Sequence, residues 1–235
     1  MSDHTPTPDN RWDNVRMHMD ELPDYIEEID QARLDFPQLT ILKSMECEYA
    51  DEFHSFYQDE LLDALGFDYL VGAAHYVPYN GDWIGVYGGI TSADSLKAYS
   101  DYVVKSMESG LFAFIAHPDL FACSYLDWDD DAIACSRDIL QASQDLDVPL
   151  EINGYGLRKK SIDTPAGSRK MYPIITFWEL AAEYDIRYVA NSDAHRPEDI
   201  IANIAEAHSI ASRYNLKAAD ISSLTGIDHL GDLST

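Results

Sequence analysis

Basic residues are scarce in this sequence, and acidic residues greatly outnumber them. The 235 residues include 16 lysines and arginines against 42 aspartates and glutamates, which gives a formal net charge of −26. Such a surface repels nucleic-acid phosphates over about a Debye length, so long DNA or RNA is excluded as a favoured partner. A small phosphate ester is repelled as well, so phosphate chemistry would need local metal ions or well-placed arginines.

Cysteines are also few. Cys47, Cys123 and Cys135 form no C-x-x-C pair. Because the set is odd and sparse, it indicates neither a disulfide framework nor a thiolate zinc site. We expect reduced, mostly buried thiols.

Long apolar segments and targeting signals are missing. No apolar run approaches the roughly 20 residues of a membrane span, and the first residues lack the basic start and apolar stretch of a signal peptide. We therefore expect a cytoplasmic protein with no membrane partner. The length suits a single α/β domain over residues 1–235, with the polar tail from Asn215 to Thr235 as its least ordered part.

Several catalytic signatures are absent too. The sequence contains no G-x-x-x-x-G-K-[ST] and no G-x-G-x-x-G after a strand, which removes the usual nucleotide-binding interpretations. It also has no G-x-S-x-G elbow and no credible Cys/His pair, so covalent catalysis has little support.

The chain does contain a regular alternation of short apolar runs and longer amphipathic stretches. The runs predict strands at 39–45, 69–74, 112–116, 148–152 and 186–190, and helical patterns lie at 53–65, 91–109, 129–146, 173–184 and from 197 onward. Strands separated by helices imply parallel pairing, because parallel neighbours need crossover connections. The pattern is typical of either an open doubly wound sheet or a closed barrel.

Residues of metal-ligand type follow four of these strands. Glu46 follows the first, His75 the second and His117 the third, while Asp193 and His195 follow the last. One histidine at a strand end is usually a satisfied core or surface residue. In a parallel barrel, however, the carboxyl ends of the strands line one cavity, so four such ends together favour a metal site.

The chemistry of this donor set is specific. Imidazole and carboxylate without thiolate suit zinc, manganese or iron. Metal ions can acidify a water near neutral pH and stabilise the oxygens of a transferring phosphoryl group. Phosphomonoester hydrolysis would then require no nucleophilic side chain.

Five segments resemble, in order and spacing, the successive motifs of the polymerase-and-histidinol-phosphatase family. They are Ser2-Asp3-His4, Met45–Tyr49, Gly72–His75, Ile115–Asp119 and Ser192–Pro197. This resemblance implies a distorted (β/α)7 TIM-like barrel that holds up to three divalent ions of zinc, manganese or iron. Its histidinol-phosphatase branch is favoured by the segments Asn80–Trp83 and Glu151–Lys159.

The same resemblance implies roles for individual residues. Glu46 would bridge two metals, and His75 and His117 would complete the second site. Asp193 would join Glu46 on the first metal.

The third metal would be held by His4 and His195. Among these ligands, the resemblance also implies direct catalytic roles for Glu46, Asp193 and His195.

The family pattern and this sequence differ at the start. In the family, a strand ending in His-x-His and a further histidine precede the Ser-Asp-His motif, which here occupies residues 2–4. The expectation is a chain without its first β/α unit, two ligands of the first metal and one of the third, and hence with low activity. A misassigned or trimmed start is the favoured explanation, and a real loss of the centre is the alternative.

Arginines are the expected phosphate-binding residues. Arg158 and Arg196 follow predicted strands, where a guanidinium could meet phosphate in a bidentate fork. A surface ion pair is an equally good explanation for each. Arg16 is expected at a helix start or on the surface, Glu48 in support of Glu46, and Asp119 in a turn.

The leading hypothesis is hydrolysis of L-histidinol phosphate to L-histidinol and phosphate in histidine biosynthesis. One alternative keeps the metal centre and changes the phosphoester, for example to a small nucleotide, an oligonucleotide end or a phosphotyrosyl peptide. Another is a non-catalytic metal-binding or scaffold protein. Loop residues set the specificity of barrels, so the sequence leaves these alternatives open.

Overall fold

The computed structural model describes residues 2–220 and residue 222. Most of the expected polar tail therefore lies outside the described residues. Within them, none of the helices combines the length and the apolar character that a membrane span requires. The described residues group into two compact units, one with residues 2–72, 111–113, 220 and 222 and the other with residues 73–110 and 114–219.

The first unit contains three short strands, a long helix and a π-helix. Its elements are β1 (Ser2–His4), α1 (Leu22–Asp35), β2 (Ser44–Glu48), a 3₁₀ turn (Asp51–Phe53), a π-helix (Phe56–Ala64) and β3 (Tyr69–Ala73), whose last residue belongs to the second unit. The strand order is β1-β2-β3. β1 and β2 pair in parallel and in register, with His4 opposite Glu46.

Strand β2 lies further along the chain than expected. It was predicted to end at Met45, but it spans Ser44–Glu48, so Glu46 lies inside the strand and not after it. Met45 and Cys47 are fully buried and anchor this strand in the core of the unit. The helical pattern predicted at 53–65 forms a π-helix, in which the Leu65 N–H donates to the carbonyl of Glu60, five residues earlier.

Helix α1 was not predicted. Pro23 stands in its first turn, where proline is tolerated because the missing N–H would have no helical partner. Only Leu22 and Ile29 are buried along its length. The apolar face is therefore too narrow to produce a clear helical period in the sequence.

The second unit contains the remaining helices and strands. They are β4 (Tyr76–Tyr79), β5 (Asp82–Gly85), α2 (Val86–Gly89), α3 (Ala93–Glu108), β6 (Phe112–Ile115, which begins in the first unit), a 3₁₀ turn (Leu120–Cys123), α4 (Asp130–Leu146), β7 (Leu150–Asn153), α5 (Gly154–Arg158), β8 (Ile162–Thr164), β9 (Gly167–Arg169), α6 (Ile175–Ala181), β10 (Arg187–Asn191), a 3₁₀ turn (Pro197–Asp199), α7 (Ile204–Arg213) and β11 (Lys217–Ala218). The strand order is β6-β7-β10-β11, and the pairs β6–β7, β7–β10 and β10–β11 are parallel.

Two strands of this unit bring polar residues side by side. In the parallel register of β7 and β10, Glu151 faces Val189, and Asn153 faces Asn191. Both strands end at these asparagines, so both amide side chains stand at the carboxyl end of the pair. Parallel strands connected by helices confirm the predicted α/β class.

The predicted helix starts of this unit are confirmed by their caps. The Ser92 hydroxyl accepts from the Ser95 N–H, and Ser95 returns a bond to the backbone of Ser92, which completes a capping box for α3. Asp129 caps α4 through a hydrogen bond from the Ala132 N–H. The two hairpins β4–β5 and β8–β9 were not predicted.

Candidate functional site

In the first unit, the predicted ligands His4 and Glu46 are neighbours. Parallel register brings their side chains together, with 3.1 Å between Nδ1 of His4 and Oε2 of Glu46. Burial lowers the pKa of His4, the hydrogen bond with Glu46 raises it, and the result lies above the ordinary value. An imidazole beside a carboxylate is a suitable pair of donors for zinc, manganese or iron.

A buried ion pair between Arg16 and Glu48 affects the pKa of His4. The Arg16 guanidinium lies 2.5 Å from Oε1 of Glu48, and each side chain is only 3% exposed. Both charges act on the pKa of His4, which Arg16 lowers and Glu48 raises. The expectation of a helix-start or surface role for Arg16 is therefore wrong, because Arg16 neutralises a buried carboxylate.

In the second unit, the predicted ligands His75 and His117 meet. Their rings lie edge to face with 4.7 Å between centroids. His117 is buried, and its backbone has a φ of 30°, a left-handed conformation that non-glycine residues adopt rarely. On its other side, the His117 ring packs against the ring of Tyr172 at 5.6 Å.

The structure adds a buried carboxylate, Glu151, whose role was not predicted. Its oxygens accept hydrogen bonds from the backbone N–H of His117 at 2.9 Å, from Nδ2 of Asn153 at 2.9 Å and from Nδ2 of Asn191 at 2.7 Å. Burial raises the pKa of Glu151 to about 7; His117 lowers it and the charge of Asp193 raises it. The signal in the sequence was a single glutamate inside an apolar strand.

Asp193 and His195 also lie together. Asn153 Nδ2 donates to Oδ2 of Asp193 at 2.9 Å, and Oδ1 of Asp193 lies 3.3 Å from Nδ1 of His195. The φ of Asp193 is 48°, again left-handed. His195 is exposed on one side and stacks on the ring of Tyr155, with 4.0 Å between centroids. A chain of contacts thus connects these residues, through Asn153 and Glu151, to His117.

The two predicted phosphate-binding arginines have different surroundings. Arg158 donates from Nη2 to the carbonyls of Ser192 at 2.9 Å and Asp193 at 3.0 Å, and its Nε lies 3.6 Å from Oδ2 of Asp199. Its guanidinium therefore holds the segment that carries Asp193. Arg196 is exposed. The phosphate-binding roles of both residues stay predictions.

Other polar residues have structural partners. Asp119 lies in a turn, as expected, but its side chain makes no cap there and instead accepts from the Ile174 N–H at 2.6 Å. Burial raises the pKa of Asp119 to about 6. His208 and the Tyr188 hydroxyl form a hydrogen bond of 2.8 Å.

The expectation of reduced and mostly buried thiols is confirmed. All three cysteines are free; Cys47 and Cys135 are buried, and Cys123 is half-buried.

The donors present fit divalent metal ions. The first unit offers the imidazole of His4 and the carboxylate of Glu46, and the second unit offers a larger set. That set consists of the imidazoles of His75, His117 and His195 and the carboxylate of Asp193. All are nitrogen or oxygen donors, and the three cysteines lie outside the set, as expected for zinc, manganese or iron.

Comparison with known proteins points in one direction. No protein-family model matches the chain. A protein of Deinococcus radiodurans named "Probable histidinol-phosphatase" is 29% identical over 214 residues, which cover 88% of this chain and 77% of that protein.

Two solved structures are similar. One is from Listeria monocytogenes and is named as a histidinol phosphatase, HisK, with a TM-score of 0.65, 20% identity and 87% of each chain covered. The other is the histidinol phosphate phosphatase HisK of Lactococcus lactis subsp. lactis, complexed with zinc, L-histidinol and phosphate, with a TM-score of 0.62, 17% identity, and 86% of this chain and 78% of that chain covered. The likeness to these two structures confirms the expected fold. The similarity to the Deinococcus radiodurans protein agrees with the resemblance found in the sequence.

Proposed function

We propose that this chain, which is similar to histidinol phosphatases, hydrolyses L-histidinol phosphate to L-histidinol and phosphate with the help of divalent metal ions. One observation carries the proposal furthest. In the second unit, a continuous series of contacts runs from His75 to His117, and from there through Glu151 and Asn153 to Asp193, which contacts His195. The proposal includes histidine biosynthesis and a cytoplasmic location, which follow from this substrate.

The proposed metal ligands are those implied by the family resemblance, namely His4, Glu46, His75, His117, Asp193 and His195. Bound divalent ions would supply a hydroxide near neutral pH and positive charge for the phosphoryl oxygens. Up to three ions of zinc, manganese or iron are proposed. The zinc complex of the similar Lactococcus lactis structure supports zinc among them.

Residues around the proposed ligands hold them in position. Asn153 fixes the carboxylate of Asp193 through a hydrogen bond of 2.9 Å. Arg158 fixes the backbone of the same residue through its carbonyl, and Tyr155 stacks on His195. Mutation of a group that orients a ligand in this way typically lowers metal affinity or activity about 10- to 100-fold.

Arg196 is the proposed contact to the substrate phosphate. It is exposed and directly follows His195, so its guanidinium can reach a bound ester without leaving a buried partner unpaired. The Arg196→Ala variant should lose about 10- to 100-fold in kcat/KM, the range expected for hydrogen bonds to a charged group. Its stability should remain within about 0.5 kcal/mol of that of the wild type, because exposed arginines contribute little to folding.

Arg213 is a suitable control, since it is an exposed arginine in the last turn of α7. Arg213→Ala should keep the wild-type kcat/KM. Equal losses in both variants would indicate a general effect of charge and would remove Arg196 from the substrate site.

The decisive experiment measures phosphate release from L-histidinol phosphate by the purified chain with added zinc, manganese or iron. Adenosine monophosphate, bis-p-nitrophenyl phosphate and phosphotyrosine serve as competing substrates. The proposal expects the highest kcat/KM for L-histidinol phosphate, with loss on chelation and in His117→Asn. His208→Asn, which alters a histidine bonded to Tyr188, should leave release unchanged.

Two results would contradict the proposal. A preference for the nucleotide or the diester would move the chain to another phosphoesterase specificity. Metal binding without hydrolysis of any ester above the level of His117→Asn would favour the non-catalytic alternative.

A further inference from the structure

Lys159 lies within a cage of three tyrosines in the second unit. Its Nζ is 4.6 Å from the ring centroid of Tyr87, 4.7 Å from that of Tyr155 and 4.9 Å from that of Tyr172. Nζ also donates to the Tyr87 hydroxyl at 2.8 Å, and this hydroxyl lies 3.1 Å from that of Tyr172. We call Tyr87, Tyr155 and Tyr172 the tyrosine cage. Aromatic faces attract a cation, so the cage holds the ammonium in one place.

The walls of the tyrosine cage contact two of the proposed metal ligands. Tyr155 stacks on His195 at 4.0 Å, and Tyr172 packs edge to face against His117 at 5.6 Å. The Lys159 ammonium therefore lies one ring away from each of these histidines.

Among the described residues, the Lys159 ammonium has no carboxylate partner within ion-pair distance. Exposed lysines of the same unit do have one, since Lys97 lies 2.6 Å from Asp101 and Lys217 lies 2.7 Å from Asp185. An ammonium carries three donors, and the Tyr87 hydroxyl takes one of them. Two donors thus remain for an anion.

The partial burial of Lys159 also favours the binding of an anion. Burial lowers the pKa of Lys159, and the charge of Asp193 raises it. Water solvates the half-buried ammonium poorly, so an anionic ligand would meet less competition from solvent than at an exposed lysine. The backbone is also fixed, because Lys170 Nζ donates to the Lys159 carbonyl at 2.9 Å.

We infer that Lys159 is a further substrate-binding residue, whose caged ammonium contacts the phosphate group of the ester. This inference rests on the proposed function and adds a residue to it. In a chain with a net charge of −26, a local cation is needed to attract a phosphate. The tyrosine cage holds the Lys159 ammonium in place without pairing it to an acidic group.

The test compares Lys159→Met with Lys160→Met in the metal-loaded full chain. Lys160 is the adjacent residue and is exposed, so it provides a matched loss of charge. Binding of inorganic phosphate is measured by calorimetry, and kcat and KM are measured with L-histidinol phosphate. Lys159→Met should weaken phosphate binding about 10- to 100-fold and raise KM more than it lowers kcat, because it removes a charge-assisted hydrogen bond. Lys160→Met should match the wild type.

Tyr87→Phe is a second, milder variant. It removes the hydroxyl that accepts from Lys159 and keeps the ring, so phosphate binding should weaken about 2- to 5-fold while the metal content stays unchanged. Wild-type phosphate affinity in Lys159→Met would overturn the inference and leave the proposed function intact. A wild-type chain that neither binds phosphate nor hydrolyses any ester would overturn the proposed function itself.

Discussion

The backbone N–H of His117 donates a hydrogen bond of 2.9 Å to the buried carboxylate of Glu151. The same carboxylate accepts from Asn153 and Asn191, so three donors converge on it. Each donor belongs to a different strand end or loop. Glu151 therefore fixes the backbone of one proposed ligand relative to the asparagine that orients another.

Glu151→Gln should lower the free energy of unfolding by about 1 to 3 kcal/mol, because an amide cannot accept all three hydrogen bonds and leaves a buried donor unsatisfied. Urea unfolding at pH 8 measures the loss. The bound metal per chain should fall as well, which elemental analysis after dialysis would show. Glu183→Gln alters an exposed partner of Arg137 and should change neither quantity. An unchanged metal content in Glu151→Gln would limit Glu151 to a role in folding.

Arg16→Met should be among the most destabilising single substitutions in the first unit. It removes the guanidinium that neutralises Glu48, and both side chains are only 3% exposed. Breaking a buried pair from one side typically costs about 3 to 5 kcal/mol. Arg137→Met, in a pair whose side chains are 47% and 56% exposed, should cost far less stability, because solvent screens an exposed pair.

The double variant Arg16→Met with Glu48→Gln provides the internal check for this pair. It removes the unpaired charge, so part of the lost stability should return. A double variant less stable than Arg16→Met would show that the charge on Glu48 is compensated elsewhere.

Asp129→Ala should destabilise helix α4 in a pH-dependent manner. The Asp129 carboxylate accepts from the Ala132 N–H, and this hydrogen bond holds the pKa of Asp129 below its ordinary value. A depressed folded-state pKa stabilises the protein above the unfolded-state pKa, and this contribution is lost as the pH falls through the folded-state value.

At pH 7 the Asp129→Ala substitution should cost about 1 kcal/mol, and the difference from the wild type should shrink below about pH 4. Asp131→Ala alters a first-turn carboxylate that is not the cap and should have a smaller effect. Urea midpoints at both pH values measure the difference. Equal losses in the two variants would contradict the assignment of Asp129 as the cap.

The three cysteines should be nearly unreactive in the native chain. Burial raises the pKa of Cys123 to about 11, so only about one thiol in a thousand is ionised at pH 8. Burial also raises the pKa of Cys47 and of Cys135. Ellman's reagent should react slowly with the native chain and rapidly with all three thiols in guanidinium chloride. Fast native labelling of one thiol would contradict this burial.

Local signals in the sequence were sufficient for much of the fold. The starts of α3 and α4 follow from the capping residues Ser92 and Asp129, because a cap acts within one helical turn. The positions of His75 after β3 and of His117 after β6 could also be predicted from the apolar runs that precede them. These features depend on neighbours only a few residues apart.

Other local signals were weaker or were overlooked. Asn80 and Gly81 both have positive φ, and Asn-Gly is a strong signal for a tight hairpin, so β4 and β5 could have been predicted. Helix α1 could not, since only two of its residues are buried. Strand β2 was predicted too early in the chain, because the run that starts at Leu39 continues into the strand without a break.

The sequence by itself therefore determined the alternation of most parallel strands and helices, the approximate starts of α3 and α4 and the chemical types of the proposed ligands. Only the tertiary structure decided which polar groups are buried together, such as Arg16 with Glu48 and Glu151 with His117. It also decided that Tyr87, far along the chain from Lys159, would contact its ammonium. Periodicity and capping report on a few neighbouring residues, whereas these contacts depend on how crossovers and loops bring distant segments together.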